Sequence, residues 1–316
     1  MENNLKPKGL CLTIVFEAES ANYGESIGNI SALKKLSRGK GDQYTYISRQ
    51  AIRYNIVDQL GEDLANVIAT SNKDKKDDEM DTDEDEINVI ASGRKDKKVI
   101  QFSEDATIDK YPEIDFFGYL KTMKGTSGKK RSAKVRLTNA ISLEPFRGDL
   151  DYLTNKGLAD RINSNMNIAQ SEIHRSFYRY TIVADLDQIG IDEVDNIFID
   201  NKEKARRVKK LLTTVEFLYR DIRGRREDLK PLFVIGGVYD IKNPIFANTV
   251  TVRNLEIPTG PILSVMNDRI KKDTYCGIVK DIFKNENQIV NELGATTTAE
   301  FFNIVRSKVD EYYEGC

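Results

Sequence analysis

The chain has 316 residues, 40% hydrophobic and 31% charged, which is typical of a globular protein with one large domain or two modest ones. Its N-terminal apolar run is short and is broken by Glu17, so we expect neither a signal peptide nor a membrane-spanning segment. The three cysteines are far apart in sequence and His174 is the only histidine, which argues against a disulfide framework, a cysteine-based metal site and paired-histidine chemistry, and makes the cytoplasm the expected compartment.

The net charge of −2 hides an uneven distribution. Residues 73–86 carry nine acids and three lysines, a net of −6, which leaves +4 for the rest of the chain. Residues 121–136 contain seven Lys or Arg and no acid. The sequence therefore predicts a basic surface together with a solvated acidic loop over residues 71–98.

Hydrophobic periodicity predicts a mixed order of strands and helices. Alternation predicts strands over residues 9–19, 133–142 and 176–187, and in the run PLFVIGGVY. Helical spacing predicts a first helix that includes residues 45–56 and ends at Gly61, a second over 204–222, and a last one near 298–313. The order strand, helix, strand, strand, helix, strand suggests an α+β fold with a ferredoxin-like or RRM-like sheet.

The first helix combines a buried stripe with an unusual polar face. Arg49, Gln50 and Arg53 fall off the stripe, and no acid lies between Gln43 and Val57. Exposed helix faces normally mix charge signs. Unopposed arginines with tyrosines at 44, 46 and 54 and a nearby basic segment favour binding of a nucleic-acid backbone. The stripe predicted to be buried comprises Ile47, Ala51, Ile52 and Ile56.

Three tempting motifs are rejected on spacing or on chemistry. GTSGKKRS has two residues between its glycines where a phosphate loop needs four. DTDEDE lacks the glycine and glutamate of an EF-hand, since Glu86 and Ser92 occupy those positions. His174 beside Arg175 has the composition of a ribonuclease pair. A lone histidine is more often a structural residue or a surface hydrogen-bond donor, so we reject the catalytic interpretation.

Five segments in this order resemble the DevR-type backbone subunit of type I-B CRISPR Cascade complexes, a branch of the Cas-seven family. They are FEAESANYGESIGNISALKKLSRG, YTYISRQAIRYNI, DFFGYL, DLDYLT and SFYRYTIVADLDQIG. The resemblance implies an RRM-like palm with a finger-like insertion over 62–114 and a thumb-like insertion over 145–175. It implies a non-catalytic protein without cofactor that binds guide RNA (crRNA).

The resemblance also implies partners. Copies of the chain would line up along the guide, contact target DNA through the RNA–DNA heteroduplex, and assemble with Cascade subunits of the fifth, eighth, sixth and eleventh Cas families. Sequence specificity would belong to base pairing, while the protein holds the backbone.

Several site residues follow from the resemblance. Ser48, Gln50 and Arg53 match the family's Ser-x-Gln-x-x-Lys/Arg helix that grips the guide, and Arg49 adds a charge. After the first strand, the polar and basic backbone contacts fall on Asn22 and the Lys34–Lys35 pair.

Two further family segments imply more contacts. Tyr119 replaces an arginine of the family, and Met123 matches its methionine. Tyr152 and Leu153 match thumb residues that wedge beside displaced bases. The remaining residues that we expect to contact RNA are Arg38, Lys129, Lys130, Arg131, Lys134, Arg136, His174 and Arg175.

Two other functions stay open at this point. One is a metal-dependent ribonuclease like the type III relatives, which cut target RNA from a loop aspartate. The other is a generic single-stranded nucleic-acid binder, which would tolerate DNA as well as RNA.

Overall fold

The computed structural model describes residues 5–71, 98–122 and 128–315. The chain forms two compact units. Unit 1 comprises residues 1–62, 134–189 and 199–316, and unit 2 comprises residues 63–133 and 190–198. Unit 2 thus reaches beyond the 62–114 finger expected from the sequence, because residues 115–133 and 190–198 cluster with it. The described residues contain no helix that is long and apolar enough to cross a lipid bilayer.

The described residues form helices and strands in mixed order. The helices are α1 (Arg49–Gln59), α2 (Pro112–Phe117), α3 (Lys156–Ala159), α4 (Asn201–Glu216), α5 (Thr259–Leu263), α6 (Asp268–Lys271), α7 (Glu286–Leu293) and α8 (Thr298–Glu314). The strands of the first half are β1 (Gly9–Ala18), β2 (Tyr23–Ile27), β3 (Ile30–Leu33), β4 (Lys35–Arg38), β5 (Asp42–Ile47), β6 (Val67–Ser71), β7 (Lys98–Phe102), β8 (Tyr119–Lys121), β9 (Lys129–Arg131), β10 (Val135–Leu137) and β11 (Ala140–Ser142). Those of the second half are β12 (Asp149–Thr154), β13 (Ile168–Ile173), β14 (Ser176–Asp185), β15 (Ile191–Asp192), β16 (Ile197–Phe198), β17 (Tyr219–Ile222), β18 (Arg225–Asp228), β19 (Phe233–Tyr239), β20 (Tyr275–Ile278) and β21 (Thr296–Thr297).

The predicted α+β class is confirmed by the main sheet of unit 1. Its strand order is β21-β20-β19-β1-β14-β11-β5-β4, and β10 also pairs with β14. β1 is antiparallel to both β14 and β19, and β11 is antiparallel to β14. With α1 between β1 and β11 and α4 between β14 and β19, the centre of the sheet has the order of two interleaved split β-α-β units.

Both faces of this sheet are covered in unit 1. On one face, Ile14 pairs with Val234 and Val234 pairs with Gly277. α8 covers this face so closely that a Cβ added at Gly277 would meet Phe301. The opposite face carries a second apolar cluster, because strand residues alternate between faces. There Cys11, Val15 and Ile235 pack with buried side chains of the segment 241–295, among them Phe246, Val250, Val252 and Ile257.

Helix α1 begins later than its hydrophobic pattern suggested. Residues 45–47 belong to β5, and Ser48 is the N-cap with an extended backbone. Ile47, Ile52 and Ile56 are buried as predicted, whereas Ala51 is half-buried. The apolar stripe therefore begins on a strand and continues on a helix. At the N-cap between them, the spacing of side chains on one face changes from 2 residues to 3.6 residues.

The second long helix was predicted too far toward the C-terminus. The prediction of a helix over 204–222 is wrong at its end, because α4 ends at Glu216 and residues 219–222 form β17 of a hairpin with β18. The strand predicted over 176–187 is confirmed as β14 up to Asp185, after which residues 186–188 form a 3-10 turn, and the last helix is confirmed as α8.

Residues 145–175 fold as a long antiparallel excursion rather than a structureless loop. β12 and β13 pair from Asp149↔Ile173 to Thr154↔Ile168, and β13 continues in parallel onto β3. The resulting four-stranded sheet has the order β12-β13-β3-β2. The segment expected to be a thumb is thereby anchored to the strands that precede α1.

Unit 2 is organised around a buried ion pair. Asp115 Oδ1 accepts from Arg131 Nη2 at 2.8 Å, and the backbone N–H of Gly190 donates to the same oxygen at 2.9 Å. Their side chains are 0% and 4% exposed for Asp115 and Arg131. Of the acidic loop predicted over 71–98, only its end residues lie among the described residues.

Candidate nucleic-acid interface

Three chain segments meet at the N-terminus of α1. The backbone N–H of Asn22 donates to Tyr46, that of Tyr46 donates to Lys34, and that of Lys34 donates to Asn22, at 3.2, 3.1 and 2.6 Å. Asn22 follows β1, Lys34 separates β3 from β4, and Tyr46 lies in β5. The fold therefore brings together two polar positions that lie far apart in sequence and sets both beside the start of the helix.

The helix start is held by side-chain oxygens from two sides. Ser48 Oγ accepts from the N–H of Ala51 at 3.2 Å and from Asn22 Nδ2 at 3.2 Å. Asn139 Oδ1 accepts from the N–H of Arg49 at 2.8 Å. Because the first N–H groups of a helix lack intrahelical partners, these oxygens satisfy two of them and fix the helix end.

The first turn of α1 carries positive charge at the positive end of the helix dipole. Arg49 and Gln50 are exposed, and the first turn contains no acid. The first turns of α4 and α8 instead carry Glu203 and Glu300, which complement the dipole. The α1 terminus, with exposed Lys34 beside it, therefore presents a local positive potential suited to an anion such as phosphate.

Other predicted residues of this region differ in accessibility. Arg53 is half-buried on α1, and Tyr54 next to it is 70% exposed. Lys35 is bound within the protein, since its Nζ lies 2.5 Å from Glu172 and 4.4 Å above the Phe146 ring. Lys35 thus anchors β4 to β13, and its charge is engaged by Glu172.

His174 is a buried structural residue, which corrects its prediction as an RNA contact. Its side chain is 5% exposed, and Nδ1 lies 2.7 Å from the Thr45 hydroxyl. The Thr45 hydroxyl also lies 2.8 Å from the hydroxyl of Tyr178. Burial lowers the pKa of His174, although Glu144 and Asp149 oppose that shift. The neutral ring therefore serves the core.

Two of the predicted contacts in unit 2 are also buried. Arg131 is engaged with Asp115 as described above, and Tyr119 is 6% exposed with its hydroxyl donating to Asp192 at 2.9 Å. Neither side chain is accessible to a phosphate, so both predictions are corrected. The sequence of the basic segment does not reveal these contacts, because the acidic partners, Asp115 and Asp192, lie outside it.

The remaining basic predictions lie at the surface. Lys129 pairs with Asp195 at 2.5 Å, and Arg175 pairs with Glu17 at 2.7 Å. Arg136 pairs with Asp185 at 2.8 Å while its side chain stays 51% exposed. Arg38 and Lys130 are exposed, Lys134 is half-buried, and Met123 lies outside the described residues.

The excursion 145–175 presents large apolar side chains to solvent. Tyr152 and Leu153 on β12 are 61% and 42% exposed, and Ile168 on β13 is 53% exposed. Leu158, Ile162 and Met166 near the tip are exposed as well. Exposed apolar patches of this kind mark interaction surfaces.

Strands β1 and β14 at the centre of the sheet offer no aromatic platform for bases. Phe16, Tyr178 and Tyr180 on β1 and β14 are each at most 1% exposed. An RRM binds RNA by stacking bases on exposed sheet aromatics. The candidate RNA-contacting surfaces of unit 1 are therefore the start of α1 and the 145–175 excursion. Asn139, which accepts from the N–H of Arg49 at the start of α1, was not identified from the sequence. Its local signal is no more than an asparagine between two short strands.

A metal-binding cluster is not found in the described parts of the chain. No group of three or more His, Cys, Asp or Glu side chains there is arranged to hold a metal ion. The described residues therefore give no support to the metal-dependent ribonuclease alternative.

The fold is similar to that of chains in two solved structures. The chain is similar to a chain of a "CRISPR RNA-guided surveillance complex, pre-nicking", with 10% identity, a TM-score of 0.59, and coverage of 95% of this chain and 100% of that one. A chain of a second "CRISPR RNA-guided surveillance complex" matches with 12% identity, a TM-score of 0.51, and coverage of 97% and 99%. At such identity the likeness concerns the fold.

Sequence comparison supplies the family. No curated protein matches the chain. A family model described as "CRISPR-associated negative auto-regulator DevR/Csa2" matches residues 10–254, which include β1, α1, the 145–175 excursion and β19. The chain therefore belongs to the CRISPR-associated DevR/Csa2 family.

Proposed function

We propose that the chain is a non-catalytic backbone subunit of a type I-B Cascade surveillance complex, that it binds crRNA, and that copies line up along the guide to present it to target DNA. The family supports a role in CRISPR systems, and the structural neighbours are chains of RNA-guided complexes. Partners would be the guide RNA, the paired target DNA, further copies and other Cascade subunits.

One observation carries the RNA-binding part of this proposal. Arg49 is exposed at the first position of a helix whose first turn lacks acid, with Ser48 and Asn22 fixing the helix end. Its guanidinium makes no ion pair with any described carboxylate. A phosphate bound there would gain the guanidinium charge and the helix dipole together. Such contacts are independent of base sequence, as a subunit that accepts any guide requires.

The decisive test is the salt dependence of RNA affinity in Arg49→Ala. Each lost phosphate contact on a single strand should lower the slope of log affinity against log salt by about 0.7. The matched control is Lys202→Ala, since Lys202 is an exposed cation in the first turn of α4. We expect a shallower slope for Arg49→Ala alone, and an unchanged slope would show that Arg49 does not touch phosphate.

Assembly and catalysis need separate measurements. Co-expression of the chain with a guide RNA should give particles whose mass corresponds to several copies per guide, and a mass of one copy would contradict the backbone role. The purified chain should protect guide RNA without cutting it. Cleavage that depends on added Mg²⁺ or Mn²⁺ would instead support the ribonuclease alternative.

A further inference from the structure

The hairpin β17–β18 is rich in arginine and lies outside the sites discussed so far. It spans residues 219–228 and carries arginines at positions 220, 223, 225 and 226. We call it the arginine hairpin. The helical pattern of residues 204–222 extends over its first strand.

The arginine hairpin is fixed alongside α1. At its base, the side chain of Gln59 donates to the carbonyl of Tyr219 at 2.6 Å and accepts from the N–H of Tyr219 at 3.2 Å. Gln59 is the last residue of α1. One amide side chain thus pairs with both backbone groups of Tyr219 and ties the hairpin base to the C-terminal end of the helix.

The turn of the hairpin contacts the loop that is bonded to the other end of α1. The guanidinium of Arg223 lies 3.9 Å from the centroid of the Tyr23 ring. Tyr23 directly follows Asn22, whose side chain bonds to Ser48 at the helix start. A helix of 11 residues is about 16 Å long and a four-residue strand about 13 Å, so the hairpin can run beside α1 from one end toward the other.

Three of the four arginines are held by carboxylates. Arg220 lies 2.6 Å from Glu227 and is buried, Arg226 lies 2.8 Å from Asp221, and Arg225 pairs with Glu19. Arg223 is exposed and forms no ion pair with a described carboxylate. Its charge therefore remains available for an external anion, while the Tyr23 ring restricts the orientation of the guanidinium plane.

The backbone of Arg223 is left-handed, a conformation that Gly, Asn and Asp adopt more readily than Arg. Arg223 and Gly224 have φ values of +49° and +75°, which gives the two-residue loop of the hairpin two consecutive left-handed residues. Turns of this kind favour Asn-Gly or Asp-Gly, because a short polar side chain tolerates the left-handed region. A long side chain at a strained turn position points to a role that outweighs local stability.

We propose that Arg223 is a further RNA-binding residue, which contacts a guide phosphate on the Ser48 side of the α1 terminus. This inference rests on the proposed function. The Tyr23 ring covers one face of the guanidinium and leaves its edge N–H groups free for bidentate contact with phosphate oxygens. The guide backbone would then be held from two elements, the first turn of α1 and the tip of the arginine hairpin.

Arg223→Asn separates this role from a structural one. Asparagine suits the left-handed turn, so the variant should unfold at an equal or higher denaturant concentration than the wild type. The same variant should bind a labelled single-stranded RNA of mixed sequence about tenfold more weakly, with a salt slope lower by about 0.7. The matched control is Arg226→Ala, which removes a neighbouring exposed arginine that is engaged with Asp221.

The outcomes distinguish this inference from the proposed function. If Arg49→Ala weakens RNA binding while Arg223→Asn binds like Arg226→Ala, the function stands and the role of Arg223 is overturned. If the full-length wild-type chain does not bind RNA, both fall. Weaker binding by Arg223→Asn with unchanged or raised stability supports the inference, since a purely structural residue would not separate the two quantities.

Discussion

The side-chain amide of Asn22 donates to the hydroxyl of Ser48 at 3.2 Å, which links the loop after the first strand to the N-cap of α1 across 26 positions of sequence. Ser48 is also the N-cap that accepts from Ala51. One hydroxyl therefore stabilises the helix end and positions the loop that carries Asn22.

This link predicts that the effects of substituting Asn22 and Ser48 are not additive. Ser48→Ala removes the cap and the bond to Asn22 together, and should lower the free energy of unfolding by about 1 kcal/mol. Adding Asn22→Ala should then cost little more, because its partner is already gone. Urea unfolding of both single variants and the double variant measures the coupling. Fully additive losses would show that the two side chains do not interact in solution.

The buried ion pair of unit 2 predicts a large effect of a nearly isosteric change. Asp115→Asn keeps the shape of the side chain but leaves the Arg131 guanidinium without its counter-charge at a fully buried position. Breaking such a pair from one side costs about 3–5 kcal/mol. We expect residues 98–122 and 128–133 to lose protection in amide hydrogen exchange.

The control for this change is Asp221→Asn, which breaks an exposed pair with Arg226. Little change in stability is expected there, because solvent screens exposed ion pairs. Equal protection of unit 2 in Asp115→Asn and in the wild type would contradict the structural role of the pair.

His174 predicts a loss of stability at mildly acidic pH. Burial lowers the pKa of the folded-state imidazole below its ordinary value of about 6.5. Below that value the unfolded chain takes up a proton that the folded chain resists, so the free energy of unfolding falls as pH drops from about 6.5 toward the lower folded-state pKa. The contribution is fully present above the unfolded-state value. His174→Gln should flatten the difference in unfolding free energy between pH 7.5 and pH 5.5, and an unchanged difference would assign the titration to another group.

The sequence predicted the central fold better than the site, and the reason is physical. β1, β14 and α8 follow from local periodicity, since a pattern of 2 or 3.6 residues is written in consecutive side chains. The burial of Arg131 and His174 is not local, because their partners Asp115 and Thr45 lie 16 and 129 positions away. A count of basic residues therefore treats a buried structural arginine and an exposed Arg49 alike.

The arginine hairpin is a second feature that local sequence patterns did not predict. Residues 219–222 continue the helical pattern of α4, yet Arg223-Gly224 turns the chain and pairs Ile222 with Arg225. An Arg-Gly pair is a weak turn signal beside Asn-Gly. Only the tertiary contacts with Gln59 and Tyr23 reveal that the strand is preferred over another helical turn.

The acidic segment predicts tolerance to deletion. β6 and β7 pair from Val67↔Phe102 to Ser71↔Lys98, so the residues that flank positions 72–97 are adjacent. Replacing 72–97 by Asn-Gly supplies a two-residue hairpin turn and changes the net charge from −2 to +2, because ten acids and six bases are removed. We expect soluble, folded protein with unchanged hydrogen-exchange protection of β6 and β7. Insoluble or unfolded protein would show that the segment contributes to the fold.

The exposed apolar residues of the 145–175 excursion predict a defect in assembly without a defect in folding. Tyr152 is 61% exposed, so Tyr152→Ala should change the free energy of unfolding by no more than about 0.5 kcal/mol. If the ring wedges beside a displaced base, its loss should weaken assembly on the guide or binding of the target, since base–aromatic stacking contributes roughly 1–3 kcal/mol per base.

Phe217→Ala is the control for Tyr152, because Phe217 at the end of α4 is 59% exposed and lies outside the excursion. Particle mass with co-expressed guide RNA should fall for Tyr152→Ala and stay constant for the control. Chemical probing of the guide in the wild-type particle bound to target DNA should show unpaired nucleotides at regular intervals, because the wedge would interrupt the RNA–DNA duplex at each copy. Uniform protection along the guide would rule out the wedge and would leave the proposed phosphate contacts at the start of α1 untouched.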